Sequence, residues 1–334
     1  MSGIVDLAAH VGVSPATVSR ALRGLPGVSD NTRERIRLAA DQLGYVASPS
    51  ASSLPTGKTK AIGVLVPWIS RWFFNAVVEG AQEVVAHHGY DLVLYAAGTS
   101  TSRPRTIDAR VLSKRVDGVL ALSVNLSHSE AEALQASRSA LVTVGPAAPG
   151  FSSVSVDDVR VGIMATQHLL TLGHRRIAFF GGDPYDMFGF PVAPDRQAGY
   201  EKALRAAGIE PRANWILPAE FSVFGGESAF VQLWQEAEHP TAIVAASDEI
   251  AMGILHMARA MGVSVPGELS VVGVDDHDLS YLFGLTTVAQ PVRHQGELAA
   301  ELLLKLMKCG PSREPETIQV ATVLIDRATT APPS

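Results

Sequence analysis

Pro15, Ala16, Ser19 and Arg20 are the first side chains in this sequence placed to meet a charged partner. They fall on one side of a short helical stretch whose Val18 and Leu22, four apart, are expected to face inward. That leaves the other four for a DNA groove and its phosphates. A second set lies where apolar strands end. Ligands of open parallel sheets bind beyond the carboxyl ends of the strands, which picks out Trp68 to Phe74 after AIGVLVP and Asp275 after VVGV. Bond-making chemistry finds no footing. No strand leads into G-x-G-x-x-G, and there is neither a phosphate loop of the form G-x-x-x-x-G-K-[ST] nor a G-x-S-x-G elbow. His87, His88, His174 and His277 lack the spacing of a zinc site. The expectation is a binding protein, with no enzyme activity, no metal and no cofactor.

Three short helices must position the first set. One runs from about Val5 to Val11 and breaks at Gly12; the next opens on a Ser14 cap and Pro15, where a missing N–H costs nothing, and ends at Gly24. Ser29 or Asp30 caps a third, whose Ile36, Ala39, Ala40 and Leu43 form one apolar face, while Arg33, Arg35 and Arg37 add positive charge. Helix, glycine turn and helix within about twenty residues is the layout of a helix-turn-helix. Small helical hairpins also occur in proteins that never meet DNA, so spacing alone leaves both readings open.

Charge is divided unevenly along the 334 residues. The net value of −6 hides a basic start, because residues 1–60 carry seven Lys/Arg against four Asp/Glu and the remainder 20 against 29. With 47% hydrophobic and 18% charged residues the chain is globular, and its length suggests two or three domains. MSGIVDLAAHVGV lacks the features of a secretory signal, and no long uncharged apolar window offers a membrane span, so a cytoplasmic location is expected. Cys309, in the pattern LLLKLMKCG, is expected as a small core residue.

Residues 48–60, rich in Ser, Pro and Thr, read as a connector. Beyond Ala61, strands such as AIGVLVP, DLVLYAA, DGVLALSV, ALVTVG, RIAFFGG, TAIVAA and LSVVGVDD alternate with helical stretches, as in parallel sheets covered on both faces. So many strands over this length suggest two doubly wound lobes. The fold class is therefore an all-α helix-turn-helix headpiece followed by α/β.

The string VGVSPATVSRALRGLPGVSDNTRERI followed by LGY closely resembles the headpiece of the LacI/GalR family. The likeness continues through ASPSASSLPTGKTKAIGVLVP, LGHRRIAFFGG, DRQAGY, SDEIAMG, VPGELSVVGVDD and LTTVAQPV, in the family's order. It implies a headpiece over 1–47, a hinge helix and linker over 48–60, and an effector-binding and dimerisation domain over 61–334 of periplasmic-binding-protein type. The first lobe would comprise about 61–158 and 288–318, and the second about 159–287 and 319–334, with crossings near Asp157, Val288 and Gln319. The resemblance also assigns residues. Pro15 and Ala16 would read bases, and Ser14, Thr17, Ser19, Arg20 and Thr32 would read bases or hold phosphates. Arg23 stands where most members have Asn and is a further phosphate candidate. Leu54 would wedge into the minor groove and bend the DNA, although Pro55 limits a hinge helix there and Ser52 replaces a frequent Arg. In the cleft, Phe73, Phe74, Asp157, Arg196, Phe221, Ser247 and Asp275 would hold the effector. An Arg and an Asp facing vicinal hydroxyls beside flat aromatic rings suit a sugar. Ser247 stands where several sugar-binding members have Asn, and Trp72 where many have Pro.

What the resemblance implies is a sequence-specific DNA-binding transcription regulator, a repressor, controlled by a small-molecule effector. One helix-turn-helix reads only about four or five base pairs, so a homodimer on a pseudo-palindromic operator is expected. Helices Asn75–His88 and Glu249–Met261 would carry the buried faces between protomers, with packing inside the subunit as the alternative. The end at Ala331–Pro332–Pro333–Ser334 leaves no leucine heptad for a tetramer. The rival reading is a stand-alone periplasmic-type sugar-binding protein with no role on DNA.

Overall fold

The computed structural model describes residues 3–45, 58–96, 109–112, 114–124, 128–136, 140–182, 191–309 and 314–334. The chain divides into two compact units, Met1–Lys60 and Ala61–Ser334.

The first unit holds α1 (Ile4–Val11), α2 (Pro15–Leu22) and α3 (Asp30–Leu43). Gly12 ends α1 in the left-handed region at φ 74°, where a side chain would be strained. Ser14 Oγ then caps α2 by accepting from Thr17 N at 3.1 Å, and of the two expected caps of α3 it is Ser29 that serves, accepting from Thr32 N at 3.3 Å. Leu7, Val11, Val18, Ala21, Ile36 and Ala39 close the small core. On α2 the inward pair is Val18 and Ala21, with Leu22 only half-buried. The buried pair is thus i, i+3 and not i, i+4, both of which lie on one side of a helix. The hinge positions Ser52, Leu54 and Pro55 lie outside the described residues.

The second unit contains two six-stranded sheets. In the first, β1 (Ala61–Val66), β2 (Asp91–Ala96), β3 (Gly118–Leu122), β4 (Ala140–Val144) and β5 (Ser152–Ser155) are joined by β11 (Thr317–Gln319) in the order β11-β5-β4-β3-β1-β2, all parallel. The second comprises β6 (Ile177–Phe180), β7 (Ile216–Leu217), β8 (Ala242–Ala245), β9 (Ser270–Asp275), β10 (Thr286–Ala289) and β12 (Val323–Ile325), in the order β12-β10-β9-β8-β6-β7. There only β12 runs antiparallel, against β10. Strands such as GVLAL and SVVGVD are buried end to end, which explains why their sequences read as continuous apolar runs without alternation.

Helices cover the sheets in close pairs. α4 (Trp72–His87) packs on α11 (Val292–Cys309) at the first sheet, with α5 (Ala109–Leu112) and α6 (His128–Ala136) elsewhere on that lobe. On the second lobe α7 (Asp158–Thr171) packs on α8 (Val192–Ala206), and α9 (Val223–Leu233) on α10 (Asp248–Ala260). Each pair meets through one glycine from either helix. A Cβ on Gly80 would stand 2.0 Å from Arg293 O, on Gly296 2.0 Å from Val77 O, on Gly162 2.0 Å from Arg196 O and on Gly199 2.1 Å from Val159 O. Gly226 and Gly253 repeat the arrangement against Ile250 O and Val223 O.

The chain changes lobes three times, and the boundaries shift slightly from those expected. Asp158 already begins α7 of the second lobe. Val288 pairs with Val274 and Leu324 inside the second sheet, so the second crossing falls at Gln290–Pro291. Gln319 pairs with Ser155 in the first sheet, which puts the third crossing after it. Cys309 is exposed at the end of α11 and not in the core, because the buried stripe of that helix stops at Leu304. Among the described residues no helix is long and apolar enough to cross a membrane.

Candidate functional site

On the first unit, α2 turns Ser14, Pro15, Ala16 and Arg20 to solvent, with Thr17 and Ser19 half-buried beside them. Ser14 Oγ and Thr17 Oγ1 lie 2.9 Å apart, so capping also fixes the hydroxyl orientation at the head of the helix. Arg23 is half-buried and donates from Nε to Ser19 O at 3.1 Å, which ties its guanidinium to the end of α2. Thr32 shares a hydrogen bond with Ser29 Oγ at 2.9 Å at the start of α3. The arginines of α3 serve the fold: Arg33 donates to Ala21 O and Leu25 O, Arg35 to Val11 O, and Arg37 pairs with Glu34 and Asp41. Arg20 makes no such bond to a described residue and stands exposed on α2.

In the second unit a cavity of about 210 Å³ opens between the lobes. Six of the seven cleft residues expected from sequence line it: Phe73, Phe74, Arg196, Phe221, Ser247 and Asp275. Asp157 does not. As N-cap of α7 it folds back to accept from Arg160 N at 2.9 Å and stays exposed, while its neighbour Asp158 lines the cavity. A capping carboxylate is committed to its own helix, so the acid that lines the cavity is one residue later.

Arg196 anchors a polar cluster. It is 4% exposed, donates from Nε to Asp158 Oδ1 at 2.8 Å and from Nη1 to the Ala246 carbonyl, and holds Nη1 3.8 Å from Asp275 Oδ1. Among the described residues its ion-pair partners are thus Asp158 and Asp275. Asp275 accepts from Gln290 Nε2 at 2.5 Å, and Gln290 accepts in turn from Gln295 Nε2 at 3.0 Å. One ion-pair contact and two hydrogen bonds thus link α8 through the end of β9 and the second crossing to α11. Burial pushes the Asp275 carboxyl above the ordinary range, against the pull of Arg196. Asp275 and Asp276 both hold positive φ, 122° and 57°, strain of the kind found where function overrides local preference. Beneath them Asp248 accepts from Ser280 Oγ at 2.6 Å, Thr287 Oγ1 at 2.7 Å and His277 N at 2.9 Å, and its carboxyl too is raised by burial.

A second cluster bridges the lobes directly. Arg71, at the head of α4, donates to Glu220 across the cleft. Beside it Trp72 Nε1 donates to Asp278 Oδ2 at 3.0 Å, and its ring lies 4.6 Å from that of His277. Glu249 also lines the cavity, with burial raising its carboxyl to about 7. Sequence reasoning missed Asp158, Arg71, Glu220, Glu249, Gln290 and Gln295. Arg71 lies within the Trp68–Phe74 segment that the strand-end rule picks out, and Gln290 follows β10 by the same rule. Glu220 and Gln295 carry no such signal, because a loop and a helix interior bring them in.

Residues 3–48 match the lacI family of bacterial regulatory proteins, and residues 166–330 match the periplasmic binding protein-like domain. Catabolite control protein A of Priestia megaterium is 31% identical over 309 residues, 91% of this chain and 92% of that one. The transcriptional repressor CytR of Escherichia coli is 33% identical over 307 residues, 91% of this chain and 89% of its own. The chain belongs to the LacI family. Among solved structures of this family, the lac repressor dimer bound to operator and an anti-inducer superposes with a TM-score of 0.83 at 26% identity, covering 99% of both chains. The complex of the regulator CelR with cellobiose gives 0.72 at 29% identity over 98% of this chain and 100% of that one. This LacI-family chain is a DNA-binding transcription regulator and not an enzyme. The reading as a stand-alone binding protein is overturned, since the headpiece is part of the family match and the relatives named are transcriptional regulators along their length.

Proposed function

We propose that this regulator is a cytoplasmic homodimer that represses transcription from a pseudo-palindromic operator and responds to a carbohydrate or related polyol bound between its lobes. The observation that carries this reading is the cavity at the lobe junction, where Arg196, Asp275 and Ser247 meet the rings of Phe73, Phe74 and Phe221. Fixed polar groups beside flat apolar rings suit a ligand with hydroxyl edges and an apolar face. Structures of relatives with cellobiose and ribose support the ligand class. On the operator, Ser14, Pro15, Ala16, Thr17, Ser19, Arg20, Arg23 and Thr32 are the proposed contacts, with Leu54 of the hinge as a minor-groove wedge. Exposed Leu279, Tyr281, Leu282, Phe283 and Phe224 offer apolar surface for a second copy. The α4 and α10 helices first considered for that role each pack one face inside the subunit, against α11 and α9, and keep an exposed face, with Asn75 and Glu83 on the first and His256 and Arg259 on the second, for the same role. The test is a gel-shift titration against operator and random DNA, repeated with a sugar panel. Equal affinity for both DNAs at physiological salt refutes the regulatory reading, and a sugar-independent shift refutes the ligand class.

A further inference from the structure

Resting on the effector reading above, we infer that the cleft selects uncharged polyhydroxylated ligands over their phosphorylated forms, and that Glu249 sets this preference. Its described lining carries two arginines, Arg71 and Arg196, against four carboxylates, Asp158, Glu220, Glu249 and Asp275. Both arginines are already neutralised. Arg196 is bonded to Asp158 and the Ala246 carbonyl and faces Asp275, and Arg71 is bonded to Glu220. An incoming phosphate would meet no unneutralised cation among the described lining residues and would be repelled by the remaining acids, in surroundings that screen charge poorly.

The helix start at the cavity gives an anion no better reception. Ser247 Oγ already accepts from Ile250 N at 3.3 Å, and the first turn of α10 carries two acids, Asp248 and Glu249. Glu249 is different from the other three carboxylates. Asp158, Glu220 and Asp275 each have a bonded partner, whereas no described residue donates a hydrogen bond to Glu249, which feels Arg71 through space alone. With burial lifting it to about 7, its carboxyl both accepts from and donates to a hydroxyl near neutral pH. A hydroxyl uses both roles, and a phosphate monoester repels the ionised one.

The experiment is calorimetry on the full chain with matched pairs: ribose, glucose and adenosine, each against its phosphate monoester. The uncharged member of a pair that binds is expected to do so at least about tenfold more tightly. Glu220→Gln, which releases Arg71 from its carboxylate, is expected to raise affinity for the phosphate and narrow that gap. This is a gain that misfolding does not produce. Glu249→Gln should narrow the gap as well, while weakening the uncharged ligand. A phosphate monoester that binds the unaltered protein as tightly as its parent overturns the charge selection and leaves the carbohydrate reading intact. Adenosine binding with every sugar inert overturns the carbohydrate reading and upholds the charge selection. Silence from all three pairs overturns both.

Discussion

Arg196→Ala removes the cation that Asp158 and Asp275 share at the foot of the cleft. All three side chains are largely buried, at 5%, 13% and 9% exposure, so water does little to replace the lost partner. Breaking a buried pair from one side costs about 3–5 kcal/mol, because the charge left behind is uncompensated. The Ala246 carbonyl loses its donor as well. For a domain of this size about 1 kcal/mol moves the melting point by roughly 2–4 °C, so a fall of roughly 6–20 °C is expected by scanning calorimetry. Asp275→Asn provides the contrast. It keeps an oxygen for Gln290 and removes a charge that burial already disfavours, so its cost should stay below about 1.5 kcal/mol. Combining the two changes should recover part of the Arg196→Ala loss, and lowering the pH should narrow the difference between Arg196→Ala and the parent as Asp275, already raised by burial, takes up a proton. A single Arg196→Ala variant melting within about 2 °C of the parent would refute the argument that these charges depend on one another.

Gly162→Ala should lower the melting point by several degrees, since its Cβ would stand 2.0 Å from a backbone oxygen that has no rotamer to change, and overpacking of this sort costs about 1–3 kcal/mol or more. Arg20→Ala should weaken operator binding and reduce the slope of log affinity against log salt by about 1, measured by fluorescence anisotropy; an unchanged slope would remove Arg20 from the phosphate contacts. Ser14→Ala should cost about 0.5–2 kcal/mol of headpiece stability, read from helical circular dichroism on heating. His168 and His174 are held below the ordinary value of 6.5 by burial, so the unfolded chain takes up their protons first. Their contribution is complete above about 6.5 and is lost as the pH falls through their folded values, while raised Glu249 contributes in the opposite sense, losing stability as the pH rises through about 7. His174→Gln should therefore flatten the acid-side fall in urea midpoint, and an identical pH profile would count against it.

The fold was legible because its signals are local. Buried parallel strands announce themselves as short apolar runs, and the caps at Ser14 and Ser29 mark where helices begin. The cleft was legible where a strand end or a family motif carries the residue, as for Asp275, Ser247 and Arg196. It failed at Asp157, where a one-residue difference separates a helix cap from an acid that lines the cavity, and periodicity does not resolve that. Arg71 meeting Glu220 was beyond reach for another reason. The pair is 149 residues apart and exists only because two lobes close on each other, so no window of sequence holds both.

Six glycines place three pairs of helices in backbone-to-backbone contact, one pair on the first lobe and two on the second. Side chains at such a seam would act as cushions that tilt and slide; peptide planes touching directly do not. Such seams resist sliding within a lobe, and only three thin strips of chain join the two lobes, at residues 156–157, 290–291 and 320–322. Gln290 sits in one of those strips and hydrogen-bonds the cleft carboxylate Asp275. The cavity wall and the strip that joins the lobes are therefore one hydrogen bond apart, so what changes the charge of that carboxylate is felt directly at the junction.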